Sequence, residues 1–326
     1  MLEAMKKWTL TETVKLINQI KTAPSYVYDK YFAGNGVAKL TANINIPIKK
    51  GAGIVLESVS PSAEHLYHED PDVYMLSITL PRFPLEKDIT ADEINAIKAL
   101  ENTTEQSITL AQRIGEIGTE HKDSFITTLE YMGVGALFGK VYDGKGKVLF
   151  EFASSAEAVA FRSDKLLIDS INEIDDALIN ELGGIVPYTV MASREFISGI
   201  AARAMTEELF KNGEAHWVEE NNTRVLFVHG AKFIPYTANY TNAKGERKRF
   251  IAENTAKVIP DSKDVFKLYY TRANHVDAIK KAPTLFFMAA PERLMKGRGY
   301  AVLSEMRALP VCVRPGALIK LTYTAA

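Results

Sequence analysis

Residues 105–152 read EQSITLAQRIGEIGTEHKDSFITTLEYMGVGALFGKVYDGKGKVLFEF, and this stretch decides the fold class. Ile108, Ala111, Ile114, Phe125, Leu129, Met132 and Ala136 follow a spacing of three or four, interrupted around Gly115 and Gly118, which lays one apolar stripe along a helix. At 1.5 Å per residue the pattern predicts about 50 Å of helix over 105–138, more than a compact domain requires. Each internal glycine costs about 1 kcal/mol relative to alanine, so Gly115 and Gly118 mark the expected bend of this spine. The helix empties into Gly139–Phe152, where Asp143-Gly144 between two strand-like runs predicts a hairpin.

Working toward the N-terminus, Thr90-Ala-Asp-Glu93 is a capping box and predicts a helix to about Leu100. Ile44, Ile46 and Ile48 alternate before Lys49-Lys50, and Val73–Thr79 alternates again, so 42–80 reads as a two-stranded excursion. Its tip, Ser60–Pro71, is a loop by its prolines and acids. Residues 8–20 can form a short helix. Pro24, the run Tyr26, Tyr28, Tyr31, Phe32, and Gly34-Asn-Gly36 then break regular structure. An irregular arm this rich in aromatics is expected to lie on another subunit or domain.

Toward the C-terminus, Ser163 is a candidate cap for a helix bearing Leu166, Leu167, Ile171, Ile174, Leu178 and Leu182 on one face, stopped by Gly183-Gly184. A strand over 185–191 and an alanine-rich helix from Ser193 to Lys211 follow. Beyond 224 the pattern is mostly strand, and the class is α+β.

The 326 residues imply roughly two packed units. Thirty-nine bases against forty acids give a net charge of −1, which excludes recruitment of nucleic acid or an anionic membrane by global positive charge. The charge is nevertheless uneven: residues 1–50 carry net +5 (eight Lys, three acids) and 86–130 net −6 (ten acids, four bases). Two such regions either meet or are simply solvated surfaces. Cys312 is the one cysteine, so no intrachain disulfide or cysteine zinc cage is available and a reducing cytosol is expected. No export or transmembrane pattern is evident.

No motif announces catalysis. His65-x-x-His68-Glu69-Asp70 has ligand-like spacing but lacks the order of a helical zinc site, and its flanking prolines favour a solvated loop. Gly133-Val-Gly135-Ala-Leu-Phe-Gly139-Lys140-Val141 resembles a phosphate loop only superficially. Its spacing is one residue too long, Val141 replaces the magnesium-holding hydroxyl, and these glycines end a helix where a phosphate loop begins one. Close backbone packing is the better reading. Cys312 lies in an apolar run and reads as a buried small hydrophobe. Arg247-Lys248-Arg249 reads as a basic hairpin tip that could touch phosphate, with a solvated turn favoured.

Three stretches together resemble the lambda-type major capsid protein family of tailed bacteriophages. Thr128-Leu-Glu130 through Ala136-Leu-Phe-Gly139 to Phe152 is similar to the family's long helix carrying Thr-x-Glu and Ala-Leu-x-Gly before a hairpin. Arg249–Thr255 with Val258-Ile-Pro260 is similar to its strand pair. The ending, Lys296–Tyr300, Ser304-Glu305 and Leu309-Pro-Val-Cys-Val-Arg-Pro315, is similar to its C-terminal strands, although Met306-Arg-Ala-Leu-Pro310 replaces the usual Ser-Asn-Pro-Leu-Pro. The resemblance covers about 40–326.

It implies the tailed-phage capsid fold (Hong Kong 97-like), with an N-terminal arm (1–41), an extended β-loop (42–88), a peripheral domain with spine helix and hairpin (89–163), an axial domain (164–300) and returning C-terminal strands (301–326). It also implies a structural protein without enzyme activity or cofactor. Copies would form hexamers and pentamers of a virion shell, assembled in the host cytoplasm around double-stranded DNA that is not bound by sequence. Scaffold, portal and decoration proteins are the implied partners, with no membrane. Candidate contacts between copies are Lys6, Lys7, Lys15, Lys21, Tyr26, Tyr28, Tyr31 and Phe32 of the arm and Ile44, Ile46, Ile48, Val73 and Leu76 of the loop, with the cations of the arm crossing the acidic spine of a neighbour. A cargo-holding encapsulin-like shell and an α+β enzyme using ordinary carboxylates are the alternatives.

Overall fold

The computed structural model describes residues 25–49, 73–98, 103–151, 158–220, 223–241 and 244–323. The expected helix over 8–20, the cations Lys6, Lys7, Lys15 and Lys21, and the loop tip with His65 and His68 lie outside the described residues. The chain divides into two compact units, each gathered from separated stretches. The strands Asn43–Lys49 and Val73–Thr79 pair as a two-stranded ribbon, as their alternation predicts.

The first unit takes residues to 44, 77–130 and 268–310. Its main sheet is built on Gly299–Met306, which pairs antiparallel with Phe83–Thr90 along eight residues and also carries Phe286–Met288 and Glu292–Arg293. Phe83–Thr90 runs straight into helix α1 (Ala91–Lys98), and the capping box forms as predicted. The Thr90 N–H donates to Glu93 Oε2 at 2.8 Å and the Glu93 N–H to Thr90 Oγ1 at 3.2 Å; the Thr90 N–H, with the Thr90 hydroxyl and Arg113, holds the Glu93 carboxyl below its ordinary range.

Helix α2 (Thr103–Phe138) is the predicted spine, 36 residues and about 54 Å by helical rise. Within this unit its stripe buries Ile114, Ile117, Phe125 and Leu129. Phe125 stacks on Phe286 with ring centroids 6.0 Å apart, and His121 Nδ1 lies 2.9 Å from Ser304 Oγ, so the stripe faces the sheet. The helix is unbroken through Gly115 and Gly118; the Thr119 hydroxyl donates to the Gly115 carbonyl at 2.9 Å.

The second unit takes 45–76, 131–267 and 311–326. Its seven-stranded sheet runs Val159–Phe161, Ile319–Tyr323, Ala256–Pro260, Tyr188–Ala192, Ala231–Pro235, Thr223–Val228, Ala215–Glu220. Helices α3 (Leu167–Leu182) and α4 (Arg194–Thr206) cover one face, packing Leu167, Ile171, Ile174 and Leu178 with Phe196 and Ile200 onto Phe161, Phe233 and Val258. Each such side chain is worth about 1.5–3 kcal/mol of burial.

Three local details differ from the sequence reading. Ser163 does not cap α3: the residue before the helix is Leu166, and the first free N–H, of Leu167, is taken by Glu207 Oε2 at 3.1 Å. Helix α4 begins at its predicted cap, Ser193, but stops at Thr206, where Glu207 leaves the helical region and Glu208 turns to φ 56°. In the hairpin Lys140–Glu151 the left-handed residue is Gly146, not Gly144, because the Asp143 carboxylate collects the N–H groups of Lys145 and Lys147 and draws out a longer loop.

Candidate assembly surfaces

Burial redistributes the candidate contact residues. Tyr28, Tyr31, Phe32, Ile44, Ile46 and Ile48 are buried within the chain itself, which corrects their placement as contacts for a neighbour: exposing them would cost the chain its own core. Tyr26 is half-buried, with Lys30 Nζ 5.9 Å from its ring centre. Val73 is exposed and Leu76 half-buried. Strand alternation puts these two on opposite faces of the ribbon, so they do not form one surface. The residue that shares the outer face with Val73 is Met75, which is 61% exposed and was not a candidate. The alternation Val73, Met75, Ser77, Thr79 carries the signal that finds it.

Glu130 is the site residue that sequence reasoning quoted without assigning a task. Its buried carboxylate accepts the N–H of Val27 at 3.0 Å and of Tyr28 at 2.7 Å. These begin the single π-helical turn Tyr28–Phe32, whose leading N–H groups have no partner of their own. The spine thereby clamps the base of the arm. Glu130→Ala leaves two buried donors unpaired and is expected to destabilise the chain by about 2 kcal/mol in chemical denaturation, with an unchanged midpoint refuting the clamp.

The acidic spine region is partly neutralised from within: Arg113 reaches Glu116 at 2.9 Å and Glu93 at 3.4 Å, and Lys87 pairs with Glu120. Exposed pairs of this kind contribute little stability.

In the second unit, Tyr131 at the end of the spine roots a separate two-stranded hairpin. Its ring lies 4.4 Å from that of Tyr240 and 6.1 Å from that of Phe250, and the Tyr240 and Phe250 rings are 5.0 Å apart. Burial, with a hydrogen bond to Tyr240, pushes the Tyr131 phenol well above its ordinary value. The hairpin strands, Asn239–Thr241 and Arg247–Arg249, pair antiparallel, and Arg249 ties their base to Glu195 at 3.0 Å. Residues 244–249 are fully on the surface, so the basic tip read from sequence is present as a projection. Elsewhere on this unit a groove of about 830 Å³ lies between α3 and the terminal strand Val159–Phe161.

Two of the chemistry-bearing candidates, Cys312 and the glycine run, sit in packing positions. Cys312 is completely buried and its thiol is pushed up to about 12, which leaves it a neutral space-filler. Gly139, at φ 95°, ends the spine helix, so the glycine run terminates a helix as expected. Among the described residues no group of three or more His, Cys, Asp or Glu is arranged to hold a metal ion, and no helix is long and apolar enough to cross a membrane.

The model of the family described as phage major capsid protein E matches residues 9–323. The chain belongs to that family. No curated protein matches the sequence. Among solved structures, a prophage protein of E. coli CFT073 assigned as its capsid protein aligns at a TM-score of 0.64 and 12% identity, over 97% of this chain and 99% of that one. The bacteriophage PhiM1 mature capsid aligns at 0.49 and 12%, covering 94% and 90%. The fold is therefore the tailed-phage capsid fold that the sequence resemblance implied. In these terms the spine of this major capsid protein is α2, the described part of its extended loop is the ribbon of Asn43–Lys49 with Val73–Thr79, and Glu130 joins the spine to the base of the arm.

Proposed function

We propose that copies of this capsid protein form hexamers and pentamers that close into an icosahedral shell around double-stranded DNA, assembled in the host cytoplasm with scaffold and portal proteins. The observation that carries the reading is the family match over almost the whole length of the chain. Each of its described parts has a use in it: a long spine, a two-stranded ribbon, and an arm clamped at its base. Shell proteins need area beyond one compact face, because a stable contact buries about 1,600 Å². A near-neutral chain also suits a container, since a strongly basic wall would hold the genome at many phosphates.

The test is size-exclusion chromatography with negative-stain microscopy on the recombinant protein, alone and co-expressed with the neighbouring scaffold gene. Shells, or rings of five and six, are the expected result. A monomer under both conditions would sink the proposal.

A further inference from the structure

We infer that the groove between α3 and strand Val159–Phe161 docks the Asn239–Arg249 hairpin of a second copy. The inference rests on the capsid reading, which supplies the second copy, and on three features of the second unit.

The first is a free sheet edge. Val159–Phe161 ends the seven-stranded sheet and, among the described residues, pairs only with Ile319–Tyr323. Its other side carries backbone donors and acceptors that call for another strand. The groove of about 830 Å³ is lined by Ala158, Val159 and Ala160 of this edge. Such an edge takes a strand by main-chain hydrogen bonds, with side chains setting specificity.

The second is a matching edge on the hairpin. Arg247–Arg249 pairs only with Asn239–Thr241 among the described residues, and it is three residues long, as is Val159–Phe161. The aromatic root at Tyr131 and the Arg249–Glu195 bond hold the hairpin in place. It is therefore presented already ordered, which lowers the entropy cost of docking.

The third is charge. Helix α3 carries five acids (Asp169, Glu173, Asp175, Asp176 and Glu181) and no base, and the groove is lined by Asp164, Glu173, Asp176 and Glu181 against Arg162 and Lys165, an acidic excess. Residues 244–249 carry four bases and one acid. The internal pairs each side makes, Lys248 with Glu246 at 3.2 Å and Glu173 with Lys165, are exposed and easily exchanged. Groove and hairpin are different surfaces of the same unit, so the contact is heterologous, the kind that closes a ring by rotation.

Three variants of the full chain test this: Arg247→Glu with Lys248→Glu, Glu173→Lys with Asp176→Lys, and all four together. Each pair of reversals is expected to lower the assembled fraction about tenfold or more, and the quadruple variant to recover to within about threefold of wild type. Thermal melting of the unassembled subunit shows that each variant folds. Normal assembly of either reversed pair, or no recovery in the quadruple variant, overturns the docking. So does a groove reversal that matters while hairpin reversal is silent and removal of residues 1–24 abolishes assembly, which gives the groove to the arm. Wild type that assembles while the reversals do nothing removes this contact alone; wild type that never assembles removes the capsid reading beneath it.

Discussion

Gly135→Ala is expected to destabilise the subunit by about 3 kcal/mol and to lower the yield of folded protein, although alanine is the better helix former by about 1 kcal/mol. Gly135 lies in the last turn of the spine, just before the chain reverses into the Lys140–Glu151 hairpin. A β-carbon there would sit 2.5 Å from the Lys140 carbonyl oxygen and 3.1 Å from the Val141 α-carbon. Both are backbone atoms of the returning strand, and Val141 is completely buried, so neither can swing aside as a side-chain tip would. The methyl group must push the hairpin off the helix end. Gly115→Ala is the control, because nothing lies within 4 Å of its added carbon and only the helix-propensity gain remains. Denaturant midpoints of the two variants should move in opposite directions. A Gly135→Ala protein as stable as wild type would show that the tight return is not needed.

Lys257→Met is expected to stabilise the protein by about 2–3 kcal/mol at neutral pH. Lys257 is buried in the strand Ala256–Pro260, with its ammonium 6.0 Å from the centre of the Phe138 ring. It faces the Cys312 thiol, neutral at this pH, and the Lys320 cation opposite it on the next strand. Burial, aggravated by Lys320, pulls the amine down to about 8 from 10.5. Each pKa unit is worth about 1.4 kcal/mol, so the folded state carries a penalty of about 3 kcal/mol while the amine is charged, less whatever aromatic contact the methionine does not replace.

The sign follows from proton binding. Between pH 8 and 10.5 the unfolded chain holds more protons at this site than the folded one, so wild type gains stability as pH rises through that window. Below about pH 8 both states are charged and the penalty is complete. The advantage of the methionine variant should thus be greatest at pH 7 and vanish near 10.5. A constant difference across the window would mean that the residue acts through shape rather than charge.

The features legible in the sequence are those set by neighbours along the chain. The capping box at Thr90 and Glu93 involves residues three apart, and it closed as expected. The stripe from Ile108 to Ala136 repeats every turn, so it announced an overlong helix without knowledge of what covers it. Alternation over 43–49 and 73–79 announced a ribbon by the same logic. These local patterns led to an α+β chain with an overlong helix; the capsid fold was implied by the resemblance of residues 128–152, 249–260 and 296–315 to a known family.

What escaped depended on partners far along the chain. Tyr28, Tyr31 and Phe32 read as an arm lying on another subunit or domain, since nothing nearby in sequence could bury them, and only the tertiary structure shows that this chain covers them itself. Glu130 meets Val27 and Tyr28 across more than a hundred residues, and Glu207 supplies the cap that Ser163 seemed placed to provide. Lys257 looks like any strand lysine until packing removes its water. By itself the sequence determined the elements and their order, because periodicity and capping are short-range, and the resemblance of three stretches pointed to the family. Only the tertiary structure decided which apolar residues are core, which glycine cannot accept a methyl group, and which charges are presented at the groove and hairpin. Burial is set by long-range contacts, and it alone turns a side chain's chemistry into an energy.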